Sequence, residues 1–167
     1  MDMDTTSFNV IFQKFYDRIE KDETFFKYHN VDVAEAITIA HQRAKNYLLE
    51  VLDELSSVGG LQVDFSDYDD EFEKINFRLY PKEVKLVVEM MYLTFMRRDE
   101  VLLHAMEINF SPSDLTIFSP ANERTSYRNF IKQLSDDVEL KIDNYKNRDR
   151  KTSCLRQTID WSLGDEV

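Results

Sequence analysis

A chain of 167 residues, 43% of them hydrophobic, is long enough to bury a core without disulfide or metal staples, which excludes global disorder. Its 32 acidic and 21 basic residues leave a net charge of −11, the wrong sign for a body that wraps nucleic acid. One cysteine, Cys154, excludes an intrachain disulfide and a thiolate metal knuckle.

The sequence has no uncharged apolar run of 18 residues to cross a membrane. Its start, Met1-Asp2-Met3-Asp4, has neither the basic residues nor the apolar stretch of a secretory signal. Only three glycines and three prolines occur, and this scarcity of breakers favours long helices over sheets.

The predicted elements follow in order. Ser7 reads as an N-cap, and Phe8, Ile11, Phe12, Phe15, Tyr16 and Ile19 lie at helical spacing, so a first helix is expected over about 7–22. Phe25, Phe26 and Tyr28 read as an aromatic turn packed on the core. A second helix is expected over 32–56, where Val33, Ile37, Ala40, Ala44, Leu48, Val51 and Leu55 step by threes and fours until Gly59-Gly60 stops them. Residues 61–65 alternate briefly, and 66–71 read as a loop leading into a short helix over Phe72–Phe77. Pro81 suits a first helical position, and Val84, Val87, Val88, Met91, Phe95, Leu102 and Met106 mark a third helix over 81–109. The charged run Arg97-Arg98-Asp99-Glu100 marks a bend or an exposed face. Ser111-Pro112 and Ser119-Pro120 both pair a capping hydroxyl with a first-turn proline. The second opens a fourth helix, expected over 120–150 with Tyr127, Phe130, Ile131, Leu134, Val138 and Tyr145 on its stripe. The fold expected is therefore all-α: a bundle of about four principal helices over 1–150, no sheet larger than a hairpin, and an extended arm over 151–167.

The sequence carries no catalytic constellation. No two glycines lie close together between Gly60 and Gly164, so neither a phosphate loop nor a dinucleotide fingerprint is present. The acidic run Asp64–Glu73 lacks the mid-loop glycine of a calcium loop. A di-iron bundle needs two Glu-x-x-His pairs, whereas Glu100 and His104 are spaced by four and stand alone. His41, in Ala40-His41-Gln42-Arg43-Ala44-Lys45, resembles a phosphotransfer helix only loosely, because Asn46 stands where glycine would follow the lysine. Cys154 reads as a small soft side chain and Ser111 and Ser119 as caps. Neither an enzyme nor a cofactor is expected.

Charge is unevenly spread. Residues 1–75 hold a net −10, 76–140 a net −2 and 141–167 a net +1, with six basic and two acidic residues between Lys141 and Arg156. The arm keeps apolar residues that a solvating tail does not need, Leu155, Ile159, Trp161 and Leu163. Its alternation Ile159-Asp160-Trp161-Ser162-Leu163 suits a strand added to another chain's edge. Trp161 is the expected anchor on a neighbouring subunit, the alternative being that it folds back to cap its own bundle, and Arg148, Arg150, Lys151 and Arg156 are expected to meet a partner's acidic rim.

Two phrases carry a resemblance. One runs Val63-Asp64-Phe65-Ser66-Asp67-Tyr68-Asp69-Asp70-Glu71-Phe72 and on to Asn76, Leu79 and Glu83 before a long helix. The other runs Phe118-Ser119-Pro120-Ala121-Asn122-Glu123-Arg124 and on to Asn144-Tyr145-Lys146-Asn147-Arg148-Asp149-Arg150. With the helix order, residues 1–150 resemble the small head–tail connector (adaptor) proteins of tailed bacteriophages. The resemblance implies a structural virion protein of the neck, assembled in the host cytoplasm. It would form a homo-oligomeric ring, commonly of twelve copies, beneath the portal protein and above the next neck or tail protein. DNA would pass through the lumen without sequence-specific binding, and the C-terminal arm would reach toward the portal. An acidic lumen wall would keep the genome from sticking. The competing expectation is a helical regulatory or partner-binding module outside the virion.

Overall fold

The computed structural model describes residues 5–20, 25, 31–109 and 121–156, with the backbone alone at 99–109 and 121–124. Among the described residues it is a four-helix bundle with a small three-stranded sheet. The helices are α1 (Phe8–Ile19), α2 (Val33–Ser57), α3 (Pro81–Asn109) and α4 (Ala121–Lys146). The strands are β1 (Thr6–Ser7), β2 (Tyr68–Asp69) and β3 (Lys74–Ile75).

Three of the helices start where their chemistry demands. The Ser7 hydroxyl accepts from the Asn9 amide at 3.3 Å, and the Asp32 carboxylate accepts from the Glu35 amide at 2.8 Å. Both satisfy N–H groups that have no partner inside the helix. α3 opens on Pro81, which gives up no hydrogen bond in a first turn.

α3 is the hub: α1, α2 and α4 all pack on it, and α4 packs chiefly there. The Phe8, Ile11, Phe12, Phe15 and Ile19 side chains are all buried, the stripe that their spacing announces. Phe15 meets Phe25 edge-on at 5.8 Å, and both meet Phe95 of α3, at 6.5 and 5.7 Å. Tyr47 of α2 closes the cluster, 6.0 Å from Phe15. Each side chain so buried contributes roughly 1.5–3 kcal/mol by leaving water. α4 joins along a narrower seam of Tyr127, Ile131, Leu134, Val138, Ile142 and Tyr145. Phe130 lies off that seam and is 44% exposed. Val33 and Ile37, on the expected stripe of α2, are exposed as well, so burial on that helix begins at Ala40.

The 61–80 segment departs from expectation. β2 and β3 form a hairpin, and β1 adds to it across β3, giving the order β1-β3-β2. The sheet is thus larger than a hairpin, and no helix forms over 72–77. Two causes are visible. The Asp69 carboxylate accepts from the Glu71 and Phe72 amides, closing a tight turn that Glu73 completes at φ 47°. Thr6 and Ser7 then pair with Ile75 and Lys74, 69 and 67 residues away. The Thr6 hydroxyl fastens the join, accepting from the Leu79 amide at 2.8 Å and donating to the Phe77 carbonyl at 3.2 Å. α3 runs unbroken through the Arg97–Glu100 run, with Arg97 and Arg98 exposed. α4 ends at Lys146 rather than near 150. The expected ends of α1 at 21–22, Phe26, Tyr28, and the Ser111-Pro112 and Ser119-Pro120 starts lie outside the described residues, as do the side chains of Leu102 and Met106.

Candidate functional site

The most elaborated region lies where α4 ends. Helix exit is enforced by local bonding. The Asn147 amide still reaches the Asp143 carbonyl, but the Arg148 amide turns to Tyr145, and Arg148 pairs with Leu155 in an isolated antiparallel bridge. Residues 147–156 therefore form a closed loop. Asp149 organises it, accepting from the Thr152 amide at 2.7 Å, the Thr152 hydroxyl at 2.9 Å and the Lys151 amide at 3.0 Å. The bond from the Thr152 amide, with the others behind it, holds the Asp149 carboxyl down at about 2. Ser153 takes a left-handed φ of 62° to close the turn.

The loop is bound to the bundle through a buried ion pair. Arg150 Nε donates to Glu83 Oε1 at 2.5 Å and Arg150 Nη2 to Glu83 Oε2 at 3.1 Å, so the fork meets the carboxylate with two bonds. Glu83 is fully buried, and its remaining capacity is used: Oε1 accepts from the Tyr145 hydroxyl at 2.6 Å and Oε2 from the Tyr80 amide at 2.6 Å. Arg150 also donates to the Arg78 carbonyl and stacks over the Tyr80 and Phe77 rings. Burial, reinforced by the Glu83 carboxylate, pushes the Tyr145 hydroxyl far above the ordinary phenol range. A second tie comes from Gln62, which accepts from the Arg150 amide at 2.6 Å. A third comes from Lys82, which donates to Ser153 Oγ at 2.7 Å. A fourth comes from Arg156, which donates to the Gly60 carbonyl at 2.8 Å.

A groove opens beside this latch, between α3 and α4. It encloses about 250 Å3, below the roughly 300–1,000 Å3 of small-molecule sites and suited to one or two side chains. Leu86 and the Tyr145 ring form a largely apolar floor, and Lys82, Lys85, Lys141 and Arg148 stand around it. Among the described residues, the one acid on its wall is Glu89, shared by Lys141 at 2.6 Å and Lys85 at 4.0 Å.

The expected partner-binding residues separate into three groups. Arg150 is committed to Glu83, and Arg148 and Arg156 donate to carbonyls of their own chain. Lys151 and Leu155 are exposed, Leu155 at 69%. Ile159, Trp161 and Leu163 lie outside the described residues. Residues 151–156, the first part of the expected arm, thus stay on the bundle, and the loop crosses the expected boundary between 150 and 151. Glu83, Gln62 and Lys82 have roles in the latch that the sequence reading missed. A signal for Glu83 was present: a carboxylate three residues past Tyr80 and two past Pro81 is the reciprocal half of a capping box.

Elsewhere, His41 lies 3.5 Å from Glu73 and meets the Phe12 ring edge-on at 5.0 Å. Lys45 bridges Asp70 at 2.9 Å and Glu73 at 3.3 Å, and the bond to Asp70 raises its ammonium above the usual lysine range. Both residues serve to hold the β2–β3 turn against α2. Among the described residues, no group of three or more metal-ligating side chains converges and no helix is long and apolar enough to cross a membrane. No family model, curated protein or solved structure matches the chain.

Proposed function

We propose that this chain is a non-enzymatic head–tail connector subunit of a tailed bacteriophage. Identical copies would form a ring under the portal protein, and DNA would pass through it to the next neck or tail protein. One observation carries the reading. The two phrases that resemble connector proteins are distant in sequence, yet both supply the latch: Glu83 ends the first, and Tyr145 and Arg150 belong to the second. An arm that must hold a neighbour needs such a fixed root. The net −10 of residues 1–75 also suits a wall past which DNA slides without sticking. The test is quantitative mass spectrometry of purified mature virions. A connector is present in fixed ratio to the portal protein. A chain abundant in infected cells and missing from virions overturns the proposal.

The competing reading, a partner-binding module outside the virion, draws on the groove, whose apolar floor and basic rim suit an acidic segment with a large apolar residue. Absence from virions, with capture of a defined non-virion partner, would favour it.

A further inference from the structure

The segment 64–73 holds six carboxylates and no lysine or arginine. Within it the turn between β2 and β3 presents Phe72, which is 70% exposed, with Lys74 over one face of the ring at 5.3 Å. A lone exposed phenylalanine is ordinary on a protein surface. Phe72 differs in being held out on a turn that is fixed from several sides. Asp69 accepts from the Glu71 and Phe72 amides, the Glu73 carbonyl accepts from the Phe8 amide at 2.8 Å, and Lys45 of α2 bridges Asp70 and Glu73. A side chain presented on so rigid a turn loses little freedom when it docks. Glu71, beside it, is exposed and places a negative charge at the tip.

The groove between α3 and α4 has the opposite character. Its floor of Leu86 and Tyr145 is apolar, and its volume of about 250 Å3 accommodates one phenyl ring. Lys85 and Lys141 stand at its rim with 76% and 46% of their side chains exposed. These two lysines share the single carboxylate of Glu89, so the rim keeps a positive charge. We propose that Phe72 of one copy enters the groove of a second copy, its ring resting on Leu86 and Tyr145 and Glu71 facing Lys85 and Lys141. The occupant comes from a second copy because the turn is tied to α1 and α2 of its own chain, whereas the groove lies across α3 and α4. Charge selects the same pairing. Residues 1–75 carry a net −10, so two copies repel unless an acidic patch of one meets a basic patch of the other. Turn and groove are unlike patches and each copy has both. The contact is therefore head-to-tail and propagates from copy to copy, closing into a ring where the rotation at each joint allows. The inference rests on the proposed ring only in taking the neighbour to be an identical chain, and it names the joint.

The test is sedimentation velocity of the purified full-length chain across a concentration series. The native protein is expected to self-associate, and less so at high salt, because part of the joint is electrostatic. Phe72→Ser, at an exposed position, should weaken association about ten-fold or more. Lys85→Glu with Lys141→Glu should do the same from the other side of the joint, with far-ultraviolet circular dichroism confirming that helicity is kept. Placing carboxylates beside Glu89 can weaken the bundle, so Lys85→Glu alone, at the more exposed position, takes the place of the pair if helicity falls. The decisive sample is an equimolar mixture of the turn variant and the groove variant. Each has lost one patch and kept the other, so the mixture should form a dimer where each variant alone is a monomer. A native chain that stays monomeric up to about 1 mM overturns the proposal. Association that Phe72→Ser leaves unchanged overturns it too, as does a mixture that stays monomeric. None of these outcomes alters the count of the chain in virions, so this joint and the connector reading fail separately.

Discussion

Glu83 carries more of this structure than its place in the sequence suggests. A fully buried carboxylate is tolerable only when its charge is neutralised and its oxygens are all hydrogen-bonded, and here Arg150, Tyr145 and the Tyr80 amide meet both needs. Removing one partner leaves the charge stranded. Arg150→Ala is expected to lower unfolding stability by about 3–5 kcal/mol, read from urea midpoints at constant slope. Tyr145→Phe should cost about 1–3 kcal/mol, and the double variant less than the sum, because both losses fall on the same carboxylate. Asp149 gives a pH signature. Its folded carboxyl is depressed to about 2 against about 3.9 in an unfolded chain, so its contribution is complete above pH ~4 and is lost as pH falls toward 2. Carboxyl NMR should find the low midpoint, and Asp149→Ala should remove that share of the acid dependence. Neither residue was legible as a latch. Periodicity reports which face of a helix is apolar, but the Glu83–Arg150 contact joins residues 67 apart and follows from the tertiary fold alone.

At the level of elements, the long helices were readable because their stripes and caps agree. Ser7, Asp32 and Pro81 mark starts, and α3 spans the predicted 81–109 without a shift. What failed were the elements shaped by distant partners or by acceptor side chains. β1 precedes α1 directly and finds its strand only after the 61–80 segment has returned. The end of α4 was misjudged by about four residues because Asp149 competes for the backbone from outside the helix. The loop after α2 offers a check on this picture. Gly60 holds φ +86°, and a Cβ there would meet Lys146 Cε at 3.1 Å, whereas a Cβ on Gly59 meets nothing within 4 Å. Gly60→Ala is therefore expected to cost about 1–2 kcal/mol in thermal or urea unfolding. Gly59→Ala should stay within about 0.5 kcal/mol of the parent.

For the whole molecule, the bundle is complete only with the loop that follows α4. Chains cut at two nearby points should show this. One ending at Arg156 retains Thr152, Ser153 and the Arg156 contacts, and is the reference. One ending at Lys151 loses the Thr152 amide that Asp149 accepts and should unfold at lower urea, both measured by circular dichroism. The groove was not legible in the sequence. It exists only because Lys82 and Lys85 of α3 come beside Lys141 of α4.

The loop also decides how the protein bears tension. A pull on residue 157 reaches Arg156 first, which is held at once by the Asn147, Gly60 and Lys146 carbonyls. It passes next to Arg150 and so to Glu83 at the start of α3, the helix against which the other three pack. The three bonds at Arg156 resist in parallel, so they must shear together before the load passes on to Arg150. A load on the tail is thereby shared among the loop after α2, the start of α3 and the end of α4.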